Sequence, residues 1–199
     1  MTVTLRRLAA LALGVVTLAS CAGDVPTAAA PRLTSSGPAT SLTGTLLGVT
    51  SALLSVDGLQ RTKPLAAPIT VSKAIGSAGG TLSIPAAGVT VVVPKGALTS
   101  TTTITMTARA GSLVAYDFAP HGITFAKPLQ FKQELKGTNA SLLTAPLLSL
   151  GYYSDAGLLT QTGGLVSELL GGVVDVLTWS FESSIPHFSG YIVTCGRRP

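Results

Sequence analysis

Alternation of side chains with a period of two, repeated three times within residues 79–129, most constrains the fold of this chain. The first run covers residues 89–93, the second 103–108 and the third 114–118, and turn-forming residues close each of them. A period of two places one set of side chains in a core and the other set in solvent, as in a β-strand. Because short turns join the runs, the pattern predicts an antiparallel sheet.

The composition favours short strands joined by turns. Of the 199 residues, 46% are hydrophobic and only 11% are charged, and the chain contains 22 glycines and 12 prolines. Long solvated helices need more charge than this, and the length suits one domain with a real core. We therefore predict an all-β fold, a single antiparallel β-sandwich at residues 69–195 followed by a short tail at 196–199.

The first 20 residues have the features of a secretory signal peptide. Arg6 and Arg7 lie in a short basic region, and an almost wholly apolar run follows at residues 8–19. This run is too short for a resident transmembrane helix, which needs about 20 residues. It is typical of a signal peptide, which we place at residues 1–20.

The signal peptide ends at residues that resemble the lipobox of bacterial lipoproteins. Leu18, Ala19 and Ser20 directly precede Cys21. The resemblance implies that Cys21 receives a diacylglyceryl group and becomes the first residue, so that acyl chains anchor the protein in a membrane of the bacterial cell envelope. Ala22 in place of aspartate indicates the outer membrane if the host is Gram-negative. The alternative is an ordinary signal peptide with an incidental cysteine.

Two segments separate the signal peptide from the predicted sandwich. Residues 21–44 contain Cys21 and then mostly Ala, Pro, Thr, Ser and Gly. This composition buries too little surface to offset the entropy of ordering, so we predict a flexible linker. Residues 45–68 are a poorly defined lead-in, whose apolar part at 46–59 suits either a short helix or an extra strand.

The distribution of charge argues against nucleic acid as a partner. The formal net charge is +5, and loss of Arg6 and Arg7 with the signal peptide leaves 11 basic against 8 acidic residues. The remaining cations are scattered, and only Arg197 and Arg198 are adjacent. Binding to a phosphate backbone needs a concentrated basic face, which this sequence does not provide.

The order of glycine, proline and phenylalanine residues in the alternating region resembles the ZU-five domain. The residues that carry this resemblance are Gly79, Gly80, Pro94, Gly96, Pro120, Gly122, Phe125 and Pro128. The ZU-five domain is shared by zonula-occludens proteins, Unc-five netrin receptors and ankyrins, and similar modules occur in bacterial envelope lipoproteins. The resemblance covers about residues 70–194, and it implies a β-sandwich with Greek-key connections.

The second half of the chain contains further predicted strands and one open segment. Residues 148–153 begin one strand and residues 186–193 form the last. Another strand is predicted at residues 173–181, with one face formed by Leu177, Trp179 and Phe181. Residues 156–172 depart from the compact hairpin expected of the family, because residues 165–170 suit either one helical turn or a loop flap.

The predicted last strand carries the one group of residues that suggests chemistry. His187, Phe188 and Ser189 match the site at which some ZU-five proteins cleave themselves. The resemblance implies that His187 is the general base and that Ser189 attacks the Phe188 carbonyl, giving an ester that water opens. Alternate side chains of a regular strand lie about 6.5–7 Å apart, whereas proton transfer needs ~3 Å. Cleavage therefore requires a kinked strand, and the alternative is a purely structural role.

The sequence contains no other motif for catalysis or cofactor binding. His121 and His187 are the two histidines and lack metal-ligand spacing, although a site with Cys195 is conceivable in space. Cys195 is otherwise expected to be buried as a small hydrophobic residue. Nucleophile elbows and nucleotide-binding loops are missing, so we predict no cofactor and no metal. The predicted function is a non-catalytic binding or assembly module for an envelope protein or wall component, with self-cleavage as the alternative.

Overall fold

The computed structural model describes residues 52–198. The predicted signal peptide at 1–20, the lipidation site Cys21 and the linker at 21–44 lie outside the described residues. Within residues 52–198, no helix is long and apolar enough to cross a membrane.

The described chain is all-β, as the sequence predicts, and its paired strands run antiparallel. Short 3₁₀ turns occur at Pro85–Ala87, Ala145–Leu147 and Ala156–Leu158. The strands are β1 (Leu54–Gly58), β2 (Gln60–Leu65), β3 (Ile69–Ile75), β4 (Gly80–Ile84), β5 (Val89–Val93), β6 (Thr102–Ala108), β7 (Gly111–Leu113), β8 (Ala115–Ala119), β9 (Thr124–Glu134), β10 (Ser149–Tyr153), β11 (Gly163–Val166), β12 (Glu168–Leu170), β13 (Gly172–Asp175), β14 (Ser180–His187) and β15 (Gly190–Arg197).

Two sheets enclose one main core, which is the arrangement of a β-sandwich. The first sheet has eight strands, in the order β11-β1-β15-β8-β6-β3, with β10 beside β15 and β12 beside β10. The second sheet has five strands in the order β13-β14-β9-β5-β4, and β2 pairs with β7 in a separate ribbon. Because consecutive strands often belong to different sheets, the chain crosses the sandwich repeatedly.

The three alternating runs form β5, β6 and β8, and their apolar positions face the main core. Val89, Val91 and Val93 of β5 are at most 2% exposed, and they share this core with Ile104 and Met106 of β6. Full burial of such a side chain contributes about 1.5–3 kcal/mol. The local alternation is therefore also the pattern of packing that stabilises the sandwich.

A second, smaller core covers the outer face of β15. It is formed by Val56, Leu113, Ala115, Tyr153, Val166 and Ile192. Strands next to β15 contribute to this second core. β10 pairs with β15 and β12, and β1 pairs with β15 and β11. The alternation predicts that Ala115 of the third run faces solvent. It lies in this second core instead.

The lead-in at residues 45–68 contributes two strands to the fold. β1 lies inside the first sheet between β11 and β15, and β2 pairs with β7. The described sandwich therefore begins at Leu54 and not at residue 69. Of the two alternatives for residues 46–59, an extra strand is the one observed over the described part.

Two segments of the second half differ from the sequence interpretation. Residues 165–170, expected as a helical turn or a loop flap, contribute to β11 and β12. Residues 173–181, expected as one strand, belong to a hairpin in which β13 pairs with β14. Leu177 is consequently 93% exposed, whereas Phe181 is fully buried, so these two residues do not share a face.

The two ends of the sandwich carry different features. At one end, here called the base, β1 begins and β15 finishes, and the amide of Arg198 donates to the carbonyl oxygen of Ser55 at 2.9 Å. The turn Ala145–Leu147 contacts β15 and β13 at the base, and the Leu135 amide donates to the Trp179 carbonyl oxygen at 2.9 Å. At the opposite end, here called the crossover end, β8 and β14 finish while β9 and β15 begin.

A buried polar network joins β2, β8 and β9. Arg61 is 6% exposed and donates to the carbonyl oxygen of Leu113 and, at 3.2 Å, to the hydroxyl of Tyr116. The Tyr116 hydroxyl donates to the Gln133 side chain, which donates to the carbonyl oxygen of Ala87 at 3.1 Å. The guanidinium carbon of Arg61 also lies 5.6 Å from the centre of the Tyr116 ring. In a low-dielectric interior such a connected network specifies one arrangement of its strands.

We expect the protein to lose stability between about pH 10 and about pH 12, because folding keeps Tyr116 neutral. Burial raises the pKa of Tyr116 to about 12, although Arg61 and Gln133 act in the opposite direction. In the unfolded chain this pKa is about 10, so the shift contributes about 2–3 kcal/mol to the free energy of unfolding below pH 10 and nothing above about pH 12. Urea titrations across this range measure the loss, which is smaller in Tyr116→Phe. Equal free energies of unfolding at both limits would contradict the expectation.

Candidate binding site at the crossover between the sheets

The chain passes from the second sheet to the first at residues 188–189. β14 ends at His187 and β15 begins at Gly190, so the single strand expected across residues 186–193 is wrong. The break has a physical reason in strand pairing. β14 pairs with β9 of the second sheet, whereas β15 pairs with β8 and β10 of the first, so the chain must change direction between them.

Phe188 anchors this crossover in the main core. Its side chain is 2% exposed, and its ring stacks on Phe118 at a centroid distance of 5.2 Å and meets Phe125 edge to face at 4.7 Å. Its amide donates to the carbonyl oxygen of Ile123 at 3.1 Å. Phe188 shares the main core with Tyr191, although regular alternation places them on opposite faces. Aromatic contacts of this kind add to the energy of burial, so the crossover is held firmly.

The side chains of His187 and Ser189 contact different partners. Ser189 is 4% exposed, and its Oγ donates to the carbonyl oxygen of Tyr153 at 3.1 Å. Nδ1 of His187 lies 3.3 Å from the Tyr191 hydroxyl, and its Nε2 lies 3.4 Å from the Glu168 carboxylate. Both ring nitrogens of His187 therefore contact groups other than the Ser189 hydroxyl.

Two buried tyrosines hold the strands around the crossover together. Burial raises the pKa of Tyr191, and the neighbouring carboxylate of Glu168 raises it further. Burial also raises the pKa of Tyr153, and the Asp117 carboxylate that its hydroxyl contacts at 2.8 Å acts in the same direction. Both hydroxyls therefore stay protonated and donate hydrogen bonds at neutral pH, and Tyr191 donates to the carbonyl oxygen of His187 at 2.7 Å.

The crossover forms one side of an open cleft of about 700 Å³, here called the crossover cleft. The other sides come from the loop between β8 and β9, from the end of β10 and from β12. The lining residues are His121, Gly122, Thr124, Tyr152, Ser154, Ser167, Glu168, His187, Phe188 and Ser189. Imidazole, hydroxyl and carboxylate groups converge there, so the cleft can both donate hydrogen bonds to a ligand and accept them from it.

Four of the residues that carry the family resemblance shape the β4–β5 hairpin. Gly79 has a φ of 78°, and a Cβ there would overlap the carbonyl oxygen of Val93, so the turn before β4 requires glycine. Gly80 is the first residue of β4 and pairs with Val93. Pro94 and Gly96 form the turn after β5, which ends there because proline cannot donate to the ladder.

The other four residues of the resemblance lie at the crossover end or next to it. Pro120 and Gly122 belong to the loop that precedes β9, and Gly122 lines the crossover cleft. Phe125 packs edge to face on Phe188. Pro128 lies within β9 where the register with β14 shifts, which is a position that tolerates proline. This half of the set therefore supports the wall of the cleft.

Comparison with known protein families finds a match within this fold. Residues 71–110 match the family model of the ZU5 domain. This segment is ZU5-like. It contains most of β3 and all of β4, β5 and β6, and the match supports the part of the resemblance that is carried by Gly79, Gly80, Pro94 and Gly96. A ZU5 domain indicates a protein-interaction module, which is compatible with non-catalytic binding. No curated protein matches the chain.

Residues 52–198 contain no group of three or more histidine, cysteine, aspartate or glutamate side chains placed to hold a metal ion. His121 and His187 line the same cleft, whereas Cys195 is buried in the main core. The three-residue site that the sequence left conceivable is therefore not assembled in the described chain.

Sequence reasoning missed Glu168 and Tyr152 as residues of the site. The register of β10 and β12 places them directly opposite each other, and the Tyr152 ring meets the His187 ring edge to face at 4.8 Å. Glu168 belongs to residues 156–172, whose conformation the local pattern left open. A contact made by long-range strand pairing has no signal in the sequence near either residue.

Proposed function

We propose that this protein is anchored by lipid at a bacterial cell envelope and that its β-sandwich binds another protein without catalysis. The lipobox-like residues before Cys21 support the anchor, and Ala22 supports the outer membrane in a Gram-negative host. The ZU5 match supports the role in protein binding. The proposed partner is an envelope protein. Photo-crosslinking in the cleft distinguishes this partner from a wall component.

The convergence of hydrogen-bonding groups in the crossover cleft carries the proposal. The side chains of Glu168 and His187 are 46% and 32% exposed, so both can still contact a ligand. Glu168 is the only carboxylate among the lining residues. A charge-assisted hydrogen bond to that carboxylate favours a lysine or arginine of the partner. The aromatic packing behind Phe188 keeps this surface rigid, which lowers the entropic cost of binding.

The position of the cleft also suits an anchored protein. The described chain begins at the base, and the crossover cleft lies at the opposite end of the sandwich. A chain tethered through Cys21 would thus join the sandwich at the end remote from the cleft. The cleft would remain accessible to a partner in the aqueous space.

We expect a photo-crosslinking amino acid at Ser154, in the cleft, to capture a protein partner in cells that produce the full chain. Glu168→Gln removes one charge-assisted hydrogen bond and lowers the captured amount about tenfold. Glu182→Gln is the matched control, because its side chain is 45% exposed and pairs with Lys132 at 3.0 Å on the second sheet. This control leaves the captured amount unchanged.

Equal capture by the two glutamine variants would overturn the assignment of the cleft. Capture of cell-wall fragments that a muramidase degrades, in place of a protein, would assign the partner to the wall. Immunoblotting for the full chain and mass spectrometry of the captured material distinguish these results.

Self-cleavage is the second candidate function, and one contact favours it. The Gly122 amide lies 3.5 Å from the carbonyl oxygen of Phe188, where it would donate to a developing oxyanion. In this reaction the Ser189 oxygen attacks that carbonyl carbon and His187 takes the hydroxyl proton. The peptide bond then breaks, its nitrogen receives the proton, and water hydrolyses the ester. The reaction requires His187 to exchange its contact with Glu168 or Tyr191 for one with Ser189.

A further inference from the structure

The base of the sandwich carries a cluster of exposed apolar side chains, here called the apolar tip. Six of the eight large apolar side chains that are exposed within residues 52–198 belong to it: Leu142, Leu143, Leu147, Val173, Val176 and Leu177. Leu143 is 86% exposed and Leu177 is 93% exposed. Single exposed apolar residues are ordinary on a protein surface, but a cluster of them marks an interaction site.

The two chain segments that supply the six residues are in contact with each other. The turn Ala145–Leu147 contacts β13. The loop that follows β9 is joined to the turn between β13 and β14 by the hydrogen bond from Leu135 to Trp179. Trp179 is partly buried and packs against the main core, so the tip stands on the body of the sandwich.

Hydrogen bonds hold both loop ends in their projecting conformations. Asp175 accepts from the amide of Leu177 at 2.8 Å and from the hydroxyl of Thr178 at 2.8 Å. In the other loop, the Ser141 amide donates to Thr144 Oγ1 at 3.0 Å. The leucines therefore project outward from ordered turns. Because these turns are ordered before binding, binding costs little further conformational entropy.

We propose that the apolar tip inserts into the interfacial region of the membrane in which the lipid anchor resides; this inference rests on the proposed anchor at Cys21. The tip and the start of the described chain share the base. The roughly 30 residues from 22 to 51 can extend to about 100 Å at most. An anchored sandwich therefore stays close to the bilayer, at a high effective concentration that makes weak insertion sufficient.

The chemistry of the base suits a lipid surface. Projecting leucine and valine side chains partition into the boundary of headgroups and acyl chains without needing a complementary partner surface. Lys136 and Arg197 are exposed and lie next to Leu135 and at the end of β15, respectively. Anionic lipid headgroups attract these two cationic side chains when the base lies near the membrane surface. With the base on the membrane, the crossover cleft points away from it.

The sole tryptophan of the chain, Trp179, is a built-in reporter for this proposal. The full chain is purified with any attached lipid and reconstituted into vesicles of phosphatidylethanolamine and phosphatidylglycerol with brominated acyl chains. We expect bromines near the headgroups to quench Trp179 more than bromines near the bilayer centre, since interfacial insertion reaches about 5–10 Å. Leu143→Ser and Leu177→Ser each lower the partitioning of the tip about tenfold and reduce the quenching.

Val92→Ser is the control, because Val92 is a half-buried apolar residue on the outward face of β5, toward the crossover end, and it leaves the quenching unchanged. Quenching that is absent, or equally reduced by all three serine variants, would overturn the proposal. A crosslinked dimer through the tip, with Trp179 shielded from bromine, would overturn it in favour of a second copy of the chain.

The mass of the same sample separates this inference from the anchor. Acylated Cys21 without quenching of Trp179 overturns the tip and leaves the anchor in place. Quenching with an unmodified Cys21 overturns the anchor and supports the tip. An unmodified Cys21 without quenching overturns both.

Discussion

Replacing Gly190 by alanine is expected to lower the free energy of unfolding by about 3 kcal/mol, the upper part of the range for overpacked cores. A Cβ at this position would overlap the ring of Tyr153, its partner on β10. The ring cannot move aside at low cost, because its hydroxyl donates to the Tyr116 carbonyl oxygen at 3.0 Å and contacts Asp117 at 2.8 Å. Urea unfolding followed by circular dichroism measures the change.

Gly171→Ala is the matched control for this substitution. A Cβ at Gly171 meets nothing within 4 Å, so the same chemical change adds no clash. It is expected to leave the stability unchanged or to raise it by about 0.4–1 kcal/mol through the unfolded state. Similar losses in the two variants would contradict the close contact between β10 and the start of β15.

Phe188→Ala is expected to cost about 3–5 kcal/mol, which is the range for removal of a buried phenylalanine. The substitution removes the ring that packs against both Phe118 and Phe125 and leaves a cavity where the two sheets meet. Thermal or urea unfolding measures the loss. Phe188→Leu keeps most of the side-chain volume, so its free energy of unfolding should fall clearly less. This variant also tests the prediction if the alanine variant fails to fold.

Leu177→Ala is the control for the loss of apolar volume. Its side chain is 93% exposed, so the change is expected to stay within about 0.5 kcal/mol. A loss from Phe188→Ala no greater than that of the control would show that the crossover does not depend on this anchor. The crossover cleft would then lack the rigid wall on which the proposed binding role relies.

The parts of the fold that could be predicted from the sequence are those with a local cause. Burial alternates along β5 because each second residue faces the main core, and the same period is visible in β6. The turn after β5 is marked by Pro94 and Gly96, whose backbone chemistry acts within a few residues. The all-β class and the antiparallel pairing follow from such local signals.

The parts that could not be predicted depend on contacts between distant residues. Residues 173–181 alternate like one strand, but Asp175 caps a tight turn in the middle of the run and creates a hairpin. Residues 165–170 become strands because β10 and β1 supply partners for them. Neither partner is visible in the local pattern of hydrophobic residues.

The site was predictable only in part. The family motif singles out His187 and Ser189, but it does not predict their environment. The change of sheet at Phe188 separates their partners, and Glu168 approaches His187 through the pairing of β12. Whether this arrangement binds or cleaves is decided by such long-range contacts and not by the tripeptide itself.

Intact mass spectrometry of the purified protein tests the central claim of an uncut, lipid-anchored binding module most directly. We expect a single species that begins at an acylated Cys21 and retains residues 189–199. An unmodified Cys21 or a retained signal peptide would contradict the anchor. A species that lacks residues 189–199, and that is restored to full length by Ser189→Ala, would replace the binding role by self-cleavage.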